Sequence, residues 1–73
     1  MPTLNEVETG QTVTVKSIQD LGIATQALRM GISQGEQIKC IARVPAGPTV
    51  IEKGGMELAI GKALCEQIEV ELS

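Results

Sequence analysis

The sequence predicts a small all-β domain with one short helix, and three features support this fold class. Five short segments alternate apolar and polar residues with the period of two that half-buried strands show. Glycine and proline, which favour turns, stand between these segments. The chain contains no Phe, Tyr or Trp, so its core must consist of aliphatic side chains. At 73 residues it is long enough for one small core. We therefore expect a single domain over residues 1–73, a five-stranded barrel with one short helix between the first two strands, because closure removes exposed strand edges.

The beginning of the chain predicts a helical turn followed by a strand. Leu4 and Val7 are three residues apart, which is typical of one helical or 3₁₀ turn placed over an open end of the core. Thr3 and Glu6 have the spacing of a capping box. The first strand is predicted over residues 12–18, and its alternation breaks at the last two residues, which indicates a bulge or the end of the strand.

The helix is predicted over residues 23–30. At about two turns it is too short to be stable alone, so it must pack on the sheet. Gly31 suits the left-handed residue that commonly follows a helix end. We expect Leu28 and Ile32 to close the mouth of the barrel. The apolar side of this segment is expected to comprise Ala24, Ala27, Leu28 and Ile32.

A hairpin is predicted where two glycines separate the third and fourth strands. Gly54 and Gly55 are suited to a two-residue primed turn, which fixes the register of the strands on either side. That register places Ile51 and Leu58 together on the inner face. The expected cross-strand pairs are Lys53–Met56, Glu52–Glu57, Ile51–Leu58, Val50–Ala59 and Thr49–Ile60.

The second and fifth strands are predicted over residues 36–44 and 67–72, each with one buried face along its whole length. A short helical turn over residues 61–66 is expected to precede the fifth strand. The inward residues are expected to be Ile38, Cys40, Ala42 and Val44 in the second strand, and Ile68, Val70 and Leu72 in the fifth.

The composition excludes several classes of function. Without aromatic side chains the chain lacks the platforms on which single-stranded nucleic acid stacks and the grooves that hold proline-rich peptides. The formal net charge is −3 with six Lys or Arg, so a nucleic-acid-binding surface is not expected. The absence of histidine removes Ser-His and Cys-His nucleophiles and the commonest transition-metal ligand. We expect a protein that is not an enzyme and uses no cofactor.

The sequence shows neither a signal peptide nor the run of about 18 apolar residues that a spanning helix needs. We therefore expect a cytoplasmic protein that does not insert into the membrane. Cys40 and Cys65 are far apart in sequence, and in a reducing compartment they are expected to be free thiols. Cys40 is predicted to be a small core residue, whereas Cys65 is expected in a surface turn where it is accessible.

Two carboxylates form the one candidate for a metal site. Glu52 is expected directly opposite Glu57, and like charges in that position repel. Oxygen ligands on neighbouring strands suit a shared divalent cation. The alternative, which we favour, is that both side chains splay apart into water.

Four residues are candidates for contact with a protein partner. Arg29 is expected on the outer side of the helix, where a cation also complements the helix dipole. Met56 is expected beside the hairpin turn with little core to cover it. Arg43 and Lys53 are two further cationic candidates.

Several short motifs follow one another along nearly the whole chain: Leu4-x-x-Val7-x-x-Gly10, Leu28-x-Met30-Gly31-Ile32-x-x-Gly35, Met56-Glu57-Leu58-Ala59-Ile60, Ala63 and Ile68-x-Val70. In this order and spacing they resemble the FeoA family of small bacterial ferrous-iron transport proteins. The resemblance implies an SH3-like barrel in the cytosol that contacts the GTP-binding region of the membrane transporter FeoB or a neighbouring subunit. Two departures, at 46–48 and 60–61, replace polar groups that the family often carries.

Two other functions remain open from the sequence. The first is a metal-responsive regulatory module, because the implied barrel resembles the C-terminal domain of metal-dependent repressors. That function needs ligands, and the chain has only carboxylates and two separated thiols to supply them. The second is a self-associating structural module, since a domain this small buries little of its own apolar surface.

Overall fold

A computed structural model describes residues 2–73. In chain order it shows a 3₁₀ turn (Leu4–Glu6), β1 (Thr12–Ser17), α1 (Leu21–Arg29), β2 (Gln37–Arg43), β3 (Thr49–Lys53), β4 (Met56–Ile60), α2 (Lys62–Cys65) and β5 (Glu69–Leu72). The strands form one antiparallel sheet in the order β4-β3-β2-β1-β5. The predicted five strands, and the helix between the first two, are confirmed.

The core is aliphatic, as predicted, and every strand contributes to it. The 3₁₀ turn, α1 and α2 each contribute a buried residue to this core, so these short elements pack against one side of the sheet. Ile18, Met30, Leu58 and Leu64 pack against its margin. The buried residues are Leu4, Val7, Val13, Val15, Ala27, Ile32, Ile38, Cys40, Ile51, Ile60, Cys65, Ile68 and Val70.

The sheet does not close into a complete ring of ladders. Within residues 2–73, β4 forms a ladder only with β3, and β5 forms one only with β1. The N-terminal segment covers the free side of β5: Leu4 N–H donates to the Ile68 carbonyl over 2.8 Å, and Val70 N–H donates to the Pro2 carbonyl over 2.9 Å. The 3₁₀ turn and α2 pack on each other.

The prediction that residues 36–44 keep one buried face is wrong beyond Cys40. The ladder between β2 and β3 shifts register between Cys40 and Ala42, so Ile41 is an extra residue. Such a bulge reverses which side chains face the core. Cys40 is buried as predicted, whereas Ala42 and Val44 are exposed.

The ladder between β1 and β5 shows a second bulge and a second exposed apolar residue. The register shifts between Val15 and Ser17, which confirms the irregularity predicted at the end of the first strand. Val70 is buried, but Leu72 is 56% exposed, so its predicted inward position is wrong. Leu72 is opposite the buried Val13 at the very end of β5, where it lines a surface cleft together with Pro2 and Val7.

Gly31 ends α1 in a Schellman motif, the arrangement in which two amide groups beyond a helix bond back to its last carbonyls. Its φ is 78°. Gly31 N–H donates to the Leu28 carbonyl over 3.0 Å, and Ile32 N–H donates to the Ala27 carbonyl over 2.8 Å. Ile32 is thereby folded back towards Ala27, and both side chains are buried. The predicted helix stop is confirmed.

Leu28 does not close the mouth of the barrel, although Ile32 is buried as predicted. The Leu28 side chain is 64% exposed. Neighbouring residues on an α-helix point about 100° apart, so Ala27 and Leu28 do not share a face. The helix also begins two residues earlier than predicted, where the Asp20 carboxylate accepts from Ile23 N–H over 3.0 Å.

The hairpin between β3 and β4 has the predicted register in all five pairs. Gly54 and Gly55 have φ values of 58° and 84°, as a type I′ turn requires. Side chains at Ile51 and Ile60 enter the core, and Leu58 packs at its margin.

We expect Gly31→Ala to lower the free energy of unfolding by about 1 kcal/mol, because a left-handed conformation is costly for a residue with a β-carbon. Urea unfolding followed by circular dichroism measures this. Gly61→Ala is the control: its φ is −60° and a β-carbon there meets nothing within 4 Å. Equal effects of the two substitutions would contradict the prediction.

The 3₁₀ turn is held by a carboxylate. The Glu6 Oε2 atom accepts from the Thr3 backbone N–H over 2.6 Å and from the Thr3 hydroxyl over 3.2 Å. These bonds, the backbone one first, lower the pKa of Glu6 from its ordinary value of 4.5. Ionised Glu6 therefore stabilises the fold above that value, and the contribution is lost as pH falls through the lowered pKa.

We expect Glu6→Gln to lower the melting temperature at pH 7, because an uncharged amide is a weaker acceptor than a carboxylate. The difference from the unsubstituted protein should shrink as the pH falls below 4.5 and Glu6 becomes protonated. Thermal melts at a series of pH values measure it. A difference that stays constant across that range would show that Glu6 does not act through its charge.

Candidate functional site

A shallow apolar groove lies between α1 and the loop that leads to β2. Its volume is about 220 Å³, and its lining residues are Ile18, Ala24, Leu28, Ser33 and Gln34. None of these side chains is charged. We call this surface the α1 groove. Its chemistry suits an uncharged, apolar group of another molecule.

The α1 groove exists because α1 has a second apolar side. Leu21, Ala24 and Leu28 are spaced at i, i+3 and i+7, which places them along one side of the helix. Ala27 faces the core instead. Leu21 is 82% exposed, so the outer side of α1 presents leucine to solvent at both ends. The spacing is visible in the sequence, but a helix predicted to begin at residue 23 omits Leu21, and the prediction placed Leu28 in the core.

Lys53 holds the β3–β4 hairpin beside the end of α1. Its Nζ atom is 3.4 Å from Glu36 Oε1. The same atom is 3.4 Å from the position that a β-carbon of Gly31 would take. A cation there also complements the partial negative charge of the helix C-terminus. Lys53, predicted as a partner contact, is thus engaged within the molecule.

Arg29 and Met56 are both exposed, as predicted. Arg29 is in the last turn of α1, next to Leu28. Met56 is paired with Lys53 across the hairpin turn, and 64% of its surface is exposed. Arg43, the fourth predicted contact, lies elsewhere, in a cleft of about 40 Å³ that Asn5 also lines.

The carboxylates proposed as a metal site are neighbours, but they lack further ligands. Glu52 is directly opposite Glu57 on β4, as predicted, and opposite Lys39 on β2. An opposite charge in register on the adjacent strand offsets the repulsion between two glutamates. Within residues 2–73 no group of three or more Cys, Asp or Glu side chains is arranged to hold a metal ion.

Both thiols are free and buried. The Cys65 thiol lies 3.4 Å from the Ile60 carbonyl, to which it donates. Burial raises the pKa of Cys65, because the thiolate is poorly solvated in the core. The expectation that Cys65 is accessible is wrong: α2 turns this residue inward to complete the core.

The FeoA domain model matches residues 3–72. This chain belongs to the FeoA family. The family is one of small accessory proteins rather than enzymes and is associated with ferrous-iron transport. No curated protein sequence matches the chain. No helix formed by residues 2–73 combines the length and apolar character needed to cross a membrane.

Solved structures agree with this family assignment. An iron uptake regulatory protein named FeoA is 29% identical and superposes with a TM-score of 0.91; the match covers 99% of this chain and 97% of that one. The zinc complex of Stenotrophomonas maltophilia FeoA is 25% identical, with a TM-score of 0.81 and coverage of 97% and 91%. That protein is described as an SH3 domain protein. The predicted SH3-like fold is confirmed.

The same fold also forms part of a larger chain. ScaR with bound Zn²⁺ superposes with a TM-score of 0.87 at 20% identity; the match covers 97% of this chain and 36% of ScaR. At that identity the similarity establishes the fold alone. FeoA-type domains and part of this longer protein therefore share one scaffold.

We expect Cys40 and Cys65 to be unreactive towards a thiol reagent such as DTNB in the folded protein, because both are fully buried. Two thiols per chain should react after denaturation in guanidinium chloride. Absorbance of the released thiolate counts them. Rapid reaction of either thiol without denaturant would contradict the buried position of that cysteine.

Proposed function

We propose that this protein is a non-enzymatic accessory of bacterial ferrous-iron uptake. It acts in the cytoplasm by binding the GTP-binding region of the transporter FeoB. The observation that carries the proposal is the family match over residues 3–72. Additional support comes from the S. maltophilia relative, which is described in connection with activating ferrous-iron transport. An activating factor needs a protein to act on, which favours a role through protein contact.

We further propose that the α1 groove is the surface that contacts the transporter. Leu28 is the most exposed apolar residue that lines the groove, with 64% of its surface accessible. About two thirds of this side chain is available to a partner, so its burial stabilises a complex by roughly 1–2 kcal/mol. Protein interfaces commonly combine an apolar centre with a polar margin and enriched arginine.

Arg29 supplies the charge at that margin. It is the one charged residue of α1 and follows Leu28 directly. A carboxylate on the transporter surface, placed beside an apolar side chain that enters the groove, would complement this pair. Such an exposed charge contributes mainly to the rate and orientation of association, and its effect falls as salt rises.

We expect Leu28→Gln to weaken binding to the cytosolic region of FeoB by about tenfold, because the loss of this partly exposed leucine from the interface corresponds to roughly 1–2 kcal/mol. Isothermal titration calorimetry measures the affinity. The substitution should leave the melting temperature nearly unchanged, since Leu28 is mostly exposed and glutamine is a good helix former.

Leu72→Gln is the matched control, because Leu72 has a similar exposure but lies at the end of β5, away from the groove. It should bind as the unsubstituted protein does. Arg29→Gln should cause a smaller loss that disappears at high salt. Absence of binding by the unsubstituted chain would refute the function, whereas equal losses for Leu28→Gln and Leu72→Gln would refute only the choice of surface.

A further inference from the structure

Among residues 2–73, one side of the β4 backbone has no hydrogen-bond partner. In a type I′ hairpin the residues that flank the turn, Lys53 and Met56, are hydrogen-bonded to each other. Bonded and non-bonded pairs then alternate along an antiparallel ladder. The N–H and C=O groups of Glu57 and Ala59 therefore point away from β3. In residues 2–73 no backbone or side-chain group bonds to them.

At the opposite edge of the sheet, the free side of β5 is covered by the N-terminal segment. At β5 the chain uses residues 2–4 to cover the free backbone, with two hydrogen bonds of 2.8 and 2.9 Å and a bridge between Thr3 and Glu69. Proline is part of this cover, and it has no N–H to offer to another strand. Across the described residues 2–73, the β5 edge is therefore covered and the β4 edge is not.

β4 has few of the features by which natural proteins prevent pairing between edge strands. Those features include charged side chains, lysine above all, proline, bulges and inward-pointing charges. The strand Met56–Ile60 contains no lysine or proline, and its register with β3 is unbroken. Its one charge is Glu57. An edge of this kind is a template for another strand.

The sequence of β4 is complementary to itself in one antiparallel register. With a twofold axis at Leu58, Glu57 lies opposite Ala59 of a second copy, and Ala59 lies opposite Glu57 of that copy. Both are the residues with outward N–H and C=O groups, so each pair forms two hydrogen bonds. A twofold axis at Glu57 would instead set two glutamates against each other, which is unfavourable.

Apolar side chains support the same register. Met56 and Leu58 lie on the face of β4 that also carries Ile60, because side chains alternate along a strand. Met56 is 64% exposed, and Leu58 is partly exposed at the margin of the core. Around the axis at Leu58, the two Leu58 side chains meet, and Met56 lies beside Ile60 of the second copy. Surface that is exposed in the monomer is covered in the dimer.

We propose that two copies of this chain associate through their β4 edges, forming a symmetric dimer whose two sheets join into one of ten strands. Four backbone hydrogen bonds and one cluster of apolar side chains hold it. This contact is smaller than a standard protein interface, so the association is weak and reversible. It uses a surface separate from the residues that line the α1 groove.

Sedimentation equilibrium tests the proposal, from about 5 μM to about 1 mM protein, the range in which a weak dimer forms. The average mass should rise from 7.7 kDa towards twice that value. Ala59→Pro should remain at the monomer mass throughout, because it removes an outward N–H while keeping the bonds to β3. Ala59→Val keeps that N–H and should associate as the unsubstituted chain does.

Amide hydrogen exchange by NMR locates the contact. Exchange at Glu57 and Ala59 should slow several-fold as the concentration rises, whereas exchange at Leu58, whose N–H already bonds to β3, should change little. A mass of 7.7 kDa at every concentration would overturn the proposal. So would association of Ala59→Pro at the level of Ala59→Val, given that circular dichroism shows both variants folded.

Discussion

The Schellman motif at Gly31 is the junction on which the rest of this small fold depends. It reverses the chain at the end of α1 and folds Ile32 back into the core beside Ala27. Without aromatic side chains, each buried isoleucine is a large share of the available core. The loop that follows the reversal carries Glu36, whose carboxylate is 3.4 Å from Lys53 Nζ, so an ion pair joins this loop to the β3–β4 hairpin.

The consequence for function is that α1 is anchored by its inner side and leaves its outer side free. A helix of nine residues cannot be stable without packing, and Ala27 and Ile32 provide that packing. Leucines on the outer side then add nothing to the core. Leu21 and Leu28 therefore form, at the two ends of one helix, apolar surface that the fold itself does not bury.

The sheet shows a similar asymmetry. A sheet of five strands in this order has two ends, and within residues 2–73 the N-terminal segment covers the β5 end. In the same residues the outward donors and acceptors of β4 have no hydrogen-bond partner. A domain of this size has few ways to bury more surface alone, so its free helix side and free strand edge are where further stabilisation is available.

The sequence by itself determined the local pattern: five strands, the helix stop at Gly31 and the complete hairpin register. These follow from backbone preferences and alternation, which act between near neighbours. Only the tertiary structure decided which side chains face the core and which face solvent. The extra residue Ile41 reversed the inward side of β2, α2 turned Cys65 into the core, and α1 rotated Leu28 into solvent. Those outcomes depend on how distant segments fill one small core, and no short stretch of sequence contains that information.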